Sequence, residues 1–327
     1  MSLTTLDVPV LEKLVGAAVA APSLHNTQPW RFRLDPEIRT VLIHAATDRG
    51  LRHTDPTGRG VQLSVGCALF NLRVAAAHFG WEPVTRLLPR PEQPDLLASV
   101  RLADSSRASA APGLYEALWR RHSSRFPFSG RPLPLGLLTE LTEAAHTEGA
   151  WLQFPDPREA GQVLRTTWVA EDRNRMDADR ATESRRWTSA PHPASLGLTA
   201  AAQGPQDALD RVPMRDFGAH RHPVVLPARP YETQPALAVL RTAHDRRTDW
   251  LRAGQALERV LLVATAHGVR SSLLHQALEW ADLRGRLDRL PGDGRRGHTQ
   301  MVIRLGYGPE GPVTPRRGVQ EVLTTGV

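Results

Sequence analysis

Two glycine-bounded, alanine-rich segments recur along the chain. One reads Gly66-Cys-Ala-Leu-Phe-Asn-Leu-Arg-Val-Ala-Ala-Ala-His-Phe-Gly80, the other Gly254-Gln-Ala-Leu-Glu-Arg-Val-Leu-Leu-Val-Ala-Thr-Ala-His-Gly268. In register, Ala68 stands opposite Ala256, Leu69 opposite Leu257 and Ala76 opposite Ala264. Each pattern reads as a helix closed by glycine, which ends a helix in a left-handed turn without a Cβ penalty. Both are apolar nearly all round, so each is expected to be a central, buried helix. The similarity extends upstream. A short amphipathic helix at 11–21 precedes Trp30-Arg-Phe-Arg-Leu-Asp-Pro36, and another at 134–145 precedes Trp151-Leu-Gln-Phe-Pro-Asp-Pro157. The chain is therefore constrained to two degenerate copies of one helix–strand–helix unit.

The copies differ in length. Trp30 to Gly66 is short and Trp151 to Gly254 is long, with the excess placed at 170–235. That stretch holds a charged helical segment at 170–187, then Ser-, Ala-, Gly- and Pro-rich sequence. Its composition fits an excursion over the surface, such as a lid. Strands are expected at 30–34, 40–44, 98–102, 151–154 and 301–305. Helices dominate the rest, so the fold class is α+β rather than a βαβ array. No Gly-x-Gly-x-x-Gly follows a strand and no Gly-x-x-x-x-Gly-Lys occurs, which removes the main support for Rossmann and P-loop readings.

A length of 327 residues fits two units. The net charge of +7 could point to nucleic acid, but Lys13 is the sole lysine and the arginines are scattered, often beside Asp or Glu. Nucleic-acid binding is not expected. No apolar run of about 18 residues argues for a membrane span, and the first ten residues lack a signal-peptide pattern, so a cytoplasmic protein is expected. A single cysteine, Cys67, excludes an internal disulfide and a cysteine-based zinc site. His220-Arg-His222 lacks a third ligand, and no metal is expected.

Three segments carry candidate chemistry. The loop Pro22-Ser23-Leu24-His25-Asn26-Thr27-Gln28-Pro29-Trp30 leads from a helix into a strand and can leave backbone N–H groups free for a ligand. Next, Arg121-His122-Ser123-Ser124-Arg125 follows a helix. Alternation puts Arg121, Ser123 and Arg125 on one side of an extended chain, where two guanidinium groups and a hydroxyl can clamp a phosphate. A solvated basic helix end is the competing reading. Finally, Gly306-Tyr-Gly308 is followed by Thr314-Pro-Arg316-Arg317, a second basic pair.

Together these segments resemble the nitroreductase-like flavoproteins, in particular the Acg-type branch, in which one chain carries two nitroreductase-like halves. The loop at Pro22 is similar to that family's Pro-Ser-x-x-Asn-x-Gln-Pro-Trp signature, and Arg121-x-Ser123-x-Arg125 to its Arg-x-Ser-x-Arg/Lys phosphate signature. The resemblance implies an α+β nitroreductase-like fold forming a pseudo-dimer in one chain. The first half is placed at 1–110, and the second at 111–327 with a lid insertion at 170–235. It implies one FMN per chain, with Arg121 and Ser123 at the phosphate, His122 among the cofactor-binding residues and Arg125 toward the flavin N1–C2=O edge. Pro22, Ser23, Leu24 and Asn26 would face the ring. Ser272, Leu273, Leu274 and His275 would lie near N5, and Arg316 and Arg317 would supply the C-terminal basic pair. Many relatives have Glu-Gly where this chain has His275-Gln276. The implied activity is NAD(P)H-dependent reduction of a small electrophile such as a nitroaromatic or quinone. The alternative is an FMN-sequestering protein whose lid excludes nicotinamide. A monomeric pseudo-dimer or weak homodimer is expected, with a small molecule as partner.

Overall fold

The computed structural model describes residues 8–104, 113–188, 195–218, 227–291, 294 and 296–324. In chain order the first part holds α1 (Val8–Val19), β1 (Trp30–Asp35), β2 (Thr40–Ala45), α2 (Arg59–His78), β3 (Trp81–Leu87) and β4 (Leu96–Asp104). After α3 (Leu114–Arg120) come α4 (Leu135–Thr147) and β5 (Trp151–Gln153). Then follow α5 (Pro157–Met176), α6 (Ala178–Arg186), α7 (Ala200–Gln203), β6 (Gln206–Asp207) and β7 (Ala228–Arg229). The chain continues through β8 (Ala236–Thr242), α8 (Arg247–Ala266), β9 (Arg270–Leu273), α9 (Ala281–Asp288), β10 (His298–Gly306) and α10 (Val319–Val322).

Two four-stranded antiparallel sheets share one topology. Their orders are β1-β2-β4-β3 and β5-β8-β10-β9, so in each the fourth strand lies between the second and third. Between them lie the two repeat helices, α2 and α8, each 20 residues long. They cross where Gly66 meets Gly254. A methyl built on Gly66 would run into Leu251 O and, at 2.8 Å, Gly254 Cα; one on Gly254 would run into Leu63 O and, at 2.8 Å, Gly66 Cα. The clash is reciprocal, as expected of a local two-fold at the crossing. Helix α1 packs on α2 and α4 on α8, and each sheet contacts its own central helix. Helix α2 is long and apolar enough to cross a membrane by composition, but most of it is buried against these neighbours.

Strands β3, β8 and β9 were not expected from the sequence. In β3 and β9 polar residues fill much of the strand, Glu82, Thr85 and Arg86 in one and Arg270, Ser271 and Ser272 in the other. These strands form by pairing with β4 and β10, not by local pattern. The extra chain also begins earlier than residue 170. It occupies the whole β5–β8 connection, where the first half has only the turn between β1 and β2. The shared Asp-Pro misleads. Pro36 lies in that turn, whereas Asp156 caps α5 in a capping box with Glu159. Asp177 then breaks the charged helix and caps α6. His220 and His222 lie outside the described residues.

Candidate active site

The loop between α1 and β1 is held in a rare conformation. His25, Asn26 and Gln28 have φ of 52°, 55° and 50°, and left-handed non-glycine residues cluster where a site over-determines them. Ser23 organises the fold: its carbonyl accepts from Asn26 N (3.0 Å) and its Oγ from Gln28 N (2.9 Å). Distant segments then staple the loop. Asn26 Nδ2 donates to Gly197 O (2.8 Å) and Pro315 O (2.9 Å), and Asn26 Oδ1 accepts from Arg316 (2.9 Å). Gln28 Nε2 donates to Ser195 O (2.7 Å), and Gln28 Oε1 accepts from Arg317 N (2.8 Å).

This loop forms one wall of a cavity of about 340 Å³, within the range of ligand sites. A second wall is the extended stretch after α3. It lies along β9, with Ser124 N donating to Ser271 O (2.8 Å) and Ser123 bridging Ser271. As the alternation predicts, Arg121, Ser123 and Arg125 all line the cavity, with His122, while Ser124 turns away to Pro309 O. Arg121 is buried, with Nη2 donating to Ala20 O (3.1 Å) and Nε 3.3 Å from Glu258 Oε1 but not aligned for a hydrogen bond. Burial raises the Glu258 carboxyl to about 7, against the pull of Arg121. Arg316 joins them, donating to Ala20 O (3.2 Å). Burial, then Arg121, lowers its guanidinium to about 9. His122 falls to about 4, by burial and by Arg121. Nε of Arg121 and of Arg316 is buried without an acceptor among the described residues. The cluster is thus short of negative charge and of acceptors.

The insertion closes a third side. Leu198 lines the cavity, and Arg125 donates to Ala202 O (2.6 Å) while stacking 5.3 Å from the centre of the Phe217 ring. Arg215 donates to Glu279, with which it forms a buried ion pair, and lies 3.2 Å from His25 Nε2. A guanidinium only donates, so His25 Nε2 accepts and its proton sits on Nδ1; that atom is buried without a partner among the described residues. Burial, then Arg215, keeps His25 neutral, well below its ordinary range. Glu279 also pairs with Arg180 (3.3 Å) and accepts from His275 Nδ1 (2.5 Å). Burial alone would raise this carboxyl, but Arg215 and His275 outweigh it and hold it low.

Of the residues expected at a cofactor, Pro22, Ser23, Leu24, Asn26, Arg121, His122, Ser123, Arg125, Leu273, His275 and Arg316 line this cavity. Three do not. The Arg317 side chain turns to Trp30 O and Glu321 O, helping to anchor the C-terminal segment on the first half. Ser272 alternates away from Leu273 along β9 and is buried, as is Leu274. The sequence reading missed Arg215, Glu258 and Glu279. Only Glu279 had a local signal, its four-residue spacing from His275. Cys67 lines the cavity, but burial pushes its thiol well up, as befits an inert side chain. Among the described residues no group of three His, Cys, Asp or Glu is placed to hold a metal.

Comparison with known proteins gives consistent matches. The family model described as the nitroreductase family matches residues 118–307. A Mycobacterium tuberculosis protein named as a candidate NAD(P)H nitroreductase is 32% identical over 324 residues, covering 97% of this chain and 92% of the relative. The candidate NAD(P)H nitroreductase acg of the same organism is 29% identical over 326 residues, 98% of this chain and 97% of its own. Among solved structures, a candidate nitroreductase from Anabaena variabilis aligns with 92% of this chain and 88% of its own, at 12% identity and a TM-score of 0.46.

Proposed function

Because the chain belongs to the nitroreductase family, we propose that it is an FMN-dependent NAD(P)H oxidoreductase acting on a small electrophile, with one site between halves 1–110 and 111–327. The observation that carries this reading is the convergence of the Pro22–Asn26 loop, the Arg121–Arg125 stretch and Arg316 on one cavity. The residues fit the cofactor. Buried guanidinium groups of Arg121 and Arg316 outnumber their carboxylate, Glu258, and their Nε atoms lack acceptors among the described residues, as suits a phosphate site. When bound, FMN supplies the two-electron relay between a nicotinamide and an electrophile such as a nitroaromatic or quinone.

The protein's part is to bind, orient and exclude water. Arg121, His122, Ser123 and Arg316 would hold the phosphate. Arg125, which has no carboxylate partner among the described residues, would face the N1–C2=O edge and stabilise negative charge there. The backbone of Ser23 and Leu24 and the side of Leu273 and His275 would flank the ring. Glu279 fixes the His275 tautomer, with the Nδ1 proton on the carboxylate side.

The insertion favours a second reading, FMN sequestration. Its Leu198, Ala202, Arg215 and Phe217 close over His25 and Arg125, where a nicotinamide would need access. The absorbance spectrum of the purified protein before and after anaerobic NADH or NADPH separates the two. A flavin band that bleaches supports the reductase; one that bleaches only with dithionite supports sequestration. No flavin, and none taken up from added FMN, would remove both.

A further inference from the structure

The cavity has a second end, where Arg59 and Arg284 lie among Asp55 and Glu279, that the FMN reading leaves unused. Arg59 opens α2 and Cys67 lies two turns later, so the two positions are about 12 Å apart along the axis. Cys67 feels the charges of Glu258 and Arg121. Arg59 instead feels Arg284, Asp55, Asp245 and Glu279. Its side chain lines the cavity yet the residue is only 8% exposed. Its hydrogen bonds go to neutral groups: Nη1 to Gln300 O (2.9 Å) and Gln300 Oε1 (3.3 Å), Nη2 to Leu278 O (3.3 Å). Nε and part of Nη2 keep no acceptor among the described residues.

Among the described residues the nearby carboxylates hydrogen-bond to other groups, although Asp55 and Glu279 themselves line the cavity. Asp55 Oδ2 accepts from Val61 N (2.9 Å) in the first turn of α2. Asp245 is held by both Nη atoms of Arg284 (2.8 and 2.5 Å) and by Trp250 (2.5 Å). Glu279 is taken by Arg215, Arg180 and His275. Arg59 is therefore a buried guanidinium that no carboxylate touches directly among the described residues; Asp55, Asp245 and Glu279 act on it only through space, so an anion brought into contact would be favoured. Burial, then Arg284, accordingly draws it down to about 10. Leu278, Trp280 and Met301 supply apolar walls beside it. The repeat gives a control. Arg247 opens α8 at the matching place but is half-exposed and donates to Pro94 O.

We propose that Arg59 is a specificity-determining residue for a carboxylate-bearing aromatic electrophile, its fork holding the carboxylate while Leu278, Trp280 and Met301 hold the flat body. The electrophile's role rests on the oxidoreductase reading; the anion site does not. The same chemistry could instead serve the 2′-phosphate of a nicotinamide dinucleotide, so the test includes both sources.

The test is calorimetric titration of the FMN-loaded protein with benzoate and with benzamide, which needs no turnover and, in the wild-type protein, no substitution. Benzoate should bind at least about ten-fold more tightly, since a charge-assisted fork is lost with the amide. Arg59→Gln should erase the difference, and Arg59→Lys should keep part of it. Equal binding of the two compounds, or a preference that survives Arg59→Gln, overturns the proposal. So does Arg59-dependent binding of adenosine 2′-phosphate with no benzoate preference, which assigns the anion to the reductant. In turnover, the kcat/KM ratio of 4-nitrobenzoate to 4-nitrobenzamide should fall about ten-fold in Arg59→Gln. A benzoate preference without NAD(P)H-driven turnover of either nitro compound would count against the oxidoreductase reading and leave the anion site standing.

Discussion

In the first half, the connection from α1 to β1 is a loop in left-handed backbone that faces a cavity. In the second half, the connection from α4 to β5 runs through Glu148, which is buried. Glu148 pairs with Arg73 of α2 (2.5 Å) and Arg259 of α8 (3.0 Å). Gln255, which stands in register with the cavity-lining Cys67, accepts from Arg73 (2.7 Å). Both sides set two arginines against one carboxylate, but on the second side both arginines bond Glu148 directly, whereas on the first Arg121 and Arg316 leave their Nε atoms and Glu258 without a hydrogen bond among the described residues. Arg73 and Arg259 also keep about a quarter of their side chains in water, whereas Arg121 keeps almost none. The difference teaches what makes a repeat functional: a small residue on the helix, a loop that does not fill the space, and cations left for a ligand.

The comparison can be broken at its axis. Gly254→Ala and Gly66→Ala should each force the central helices apart, at a cost of about 3 kcal/mol or more, read from urea denaturation. Because the clash is reciprocal, the two losses should agree; a large loss at one and little at the other would show that the crossing is not two-fold in energy. Next, Arg121→Ala with Arg125→Ala should weaken FMN binding by about a hundred-fold, so that flavin is lost on desalting. Retained flavin would sink the site assignment. On the opposite side, Arg73→Ala should cost about 2 kcal/mol by leaving the buried Glu148 with one partner, while flavin content stays the same. Flavin loss there would mean that both sides serve the cofactor.

The smallest effect is one of pH. With Glu258 raised to about 7, its carboxylate competes with a phosphate for Arg121 only when ionised. Phosphate binding therefore favours the protonated acid, and FMN affinity should fall as pH rises above about 7. The FMN phosphate is already dianionic there, its second pKa being about 6. A decrease of roughly ten-fold between pH 7 and pH 9 is expected from this linkage, and Glu258→Gln should remove its part between pH 7 and pH 8, leaving the loss near pH 9 where Arg316 gives up its charge. A profile unchanged by that substitution would separate Glu258 from the site.

Much of this was legible from residues near one another in sequence. Glycines marked the ends of α2 and α8, and the apolar patterns made both central. Alternation through Arg121, Ser123 and Arg125 placed three side chains on one wall. Longer reach failed for identifiable reasons. Arg316 and Arg317 look alike in sequence, yet one enters the cavity and the other turns to Trp30 O, because the C-terminal segment docks on β1 through Phe32 and Leu323. Strands β3 and β9 depend on partners distant in sequence, and the Asp-Pro pair hid a helix cap in one copy and a turn in the other.

The sequence by itself determined the repeat, the two central helices, the α+β class and the three segments that meet at the cavity, since periodicity, glycine stops and alternation are local properties of the chain. Only the tertiary structure decided which cations are buried without a carboxylate bonded to them. Arg59 and Arg247 share one residue type and one helix position, but only Arg59 of the two is buried against the cavity, with its hydrogen bonds spent on neutral groups. Desolvation and counter-charge depend on the three-dimensional surroundings, which no stretch of sequence displays.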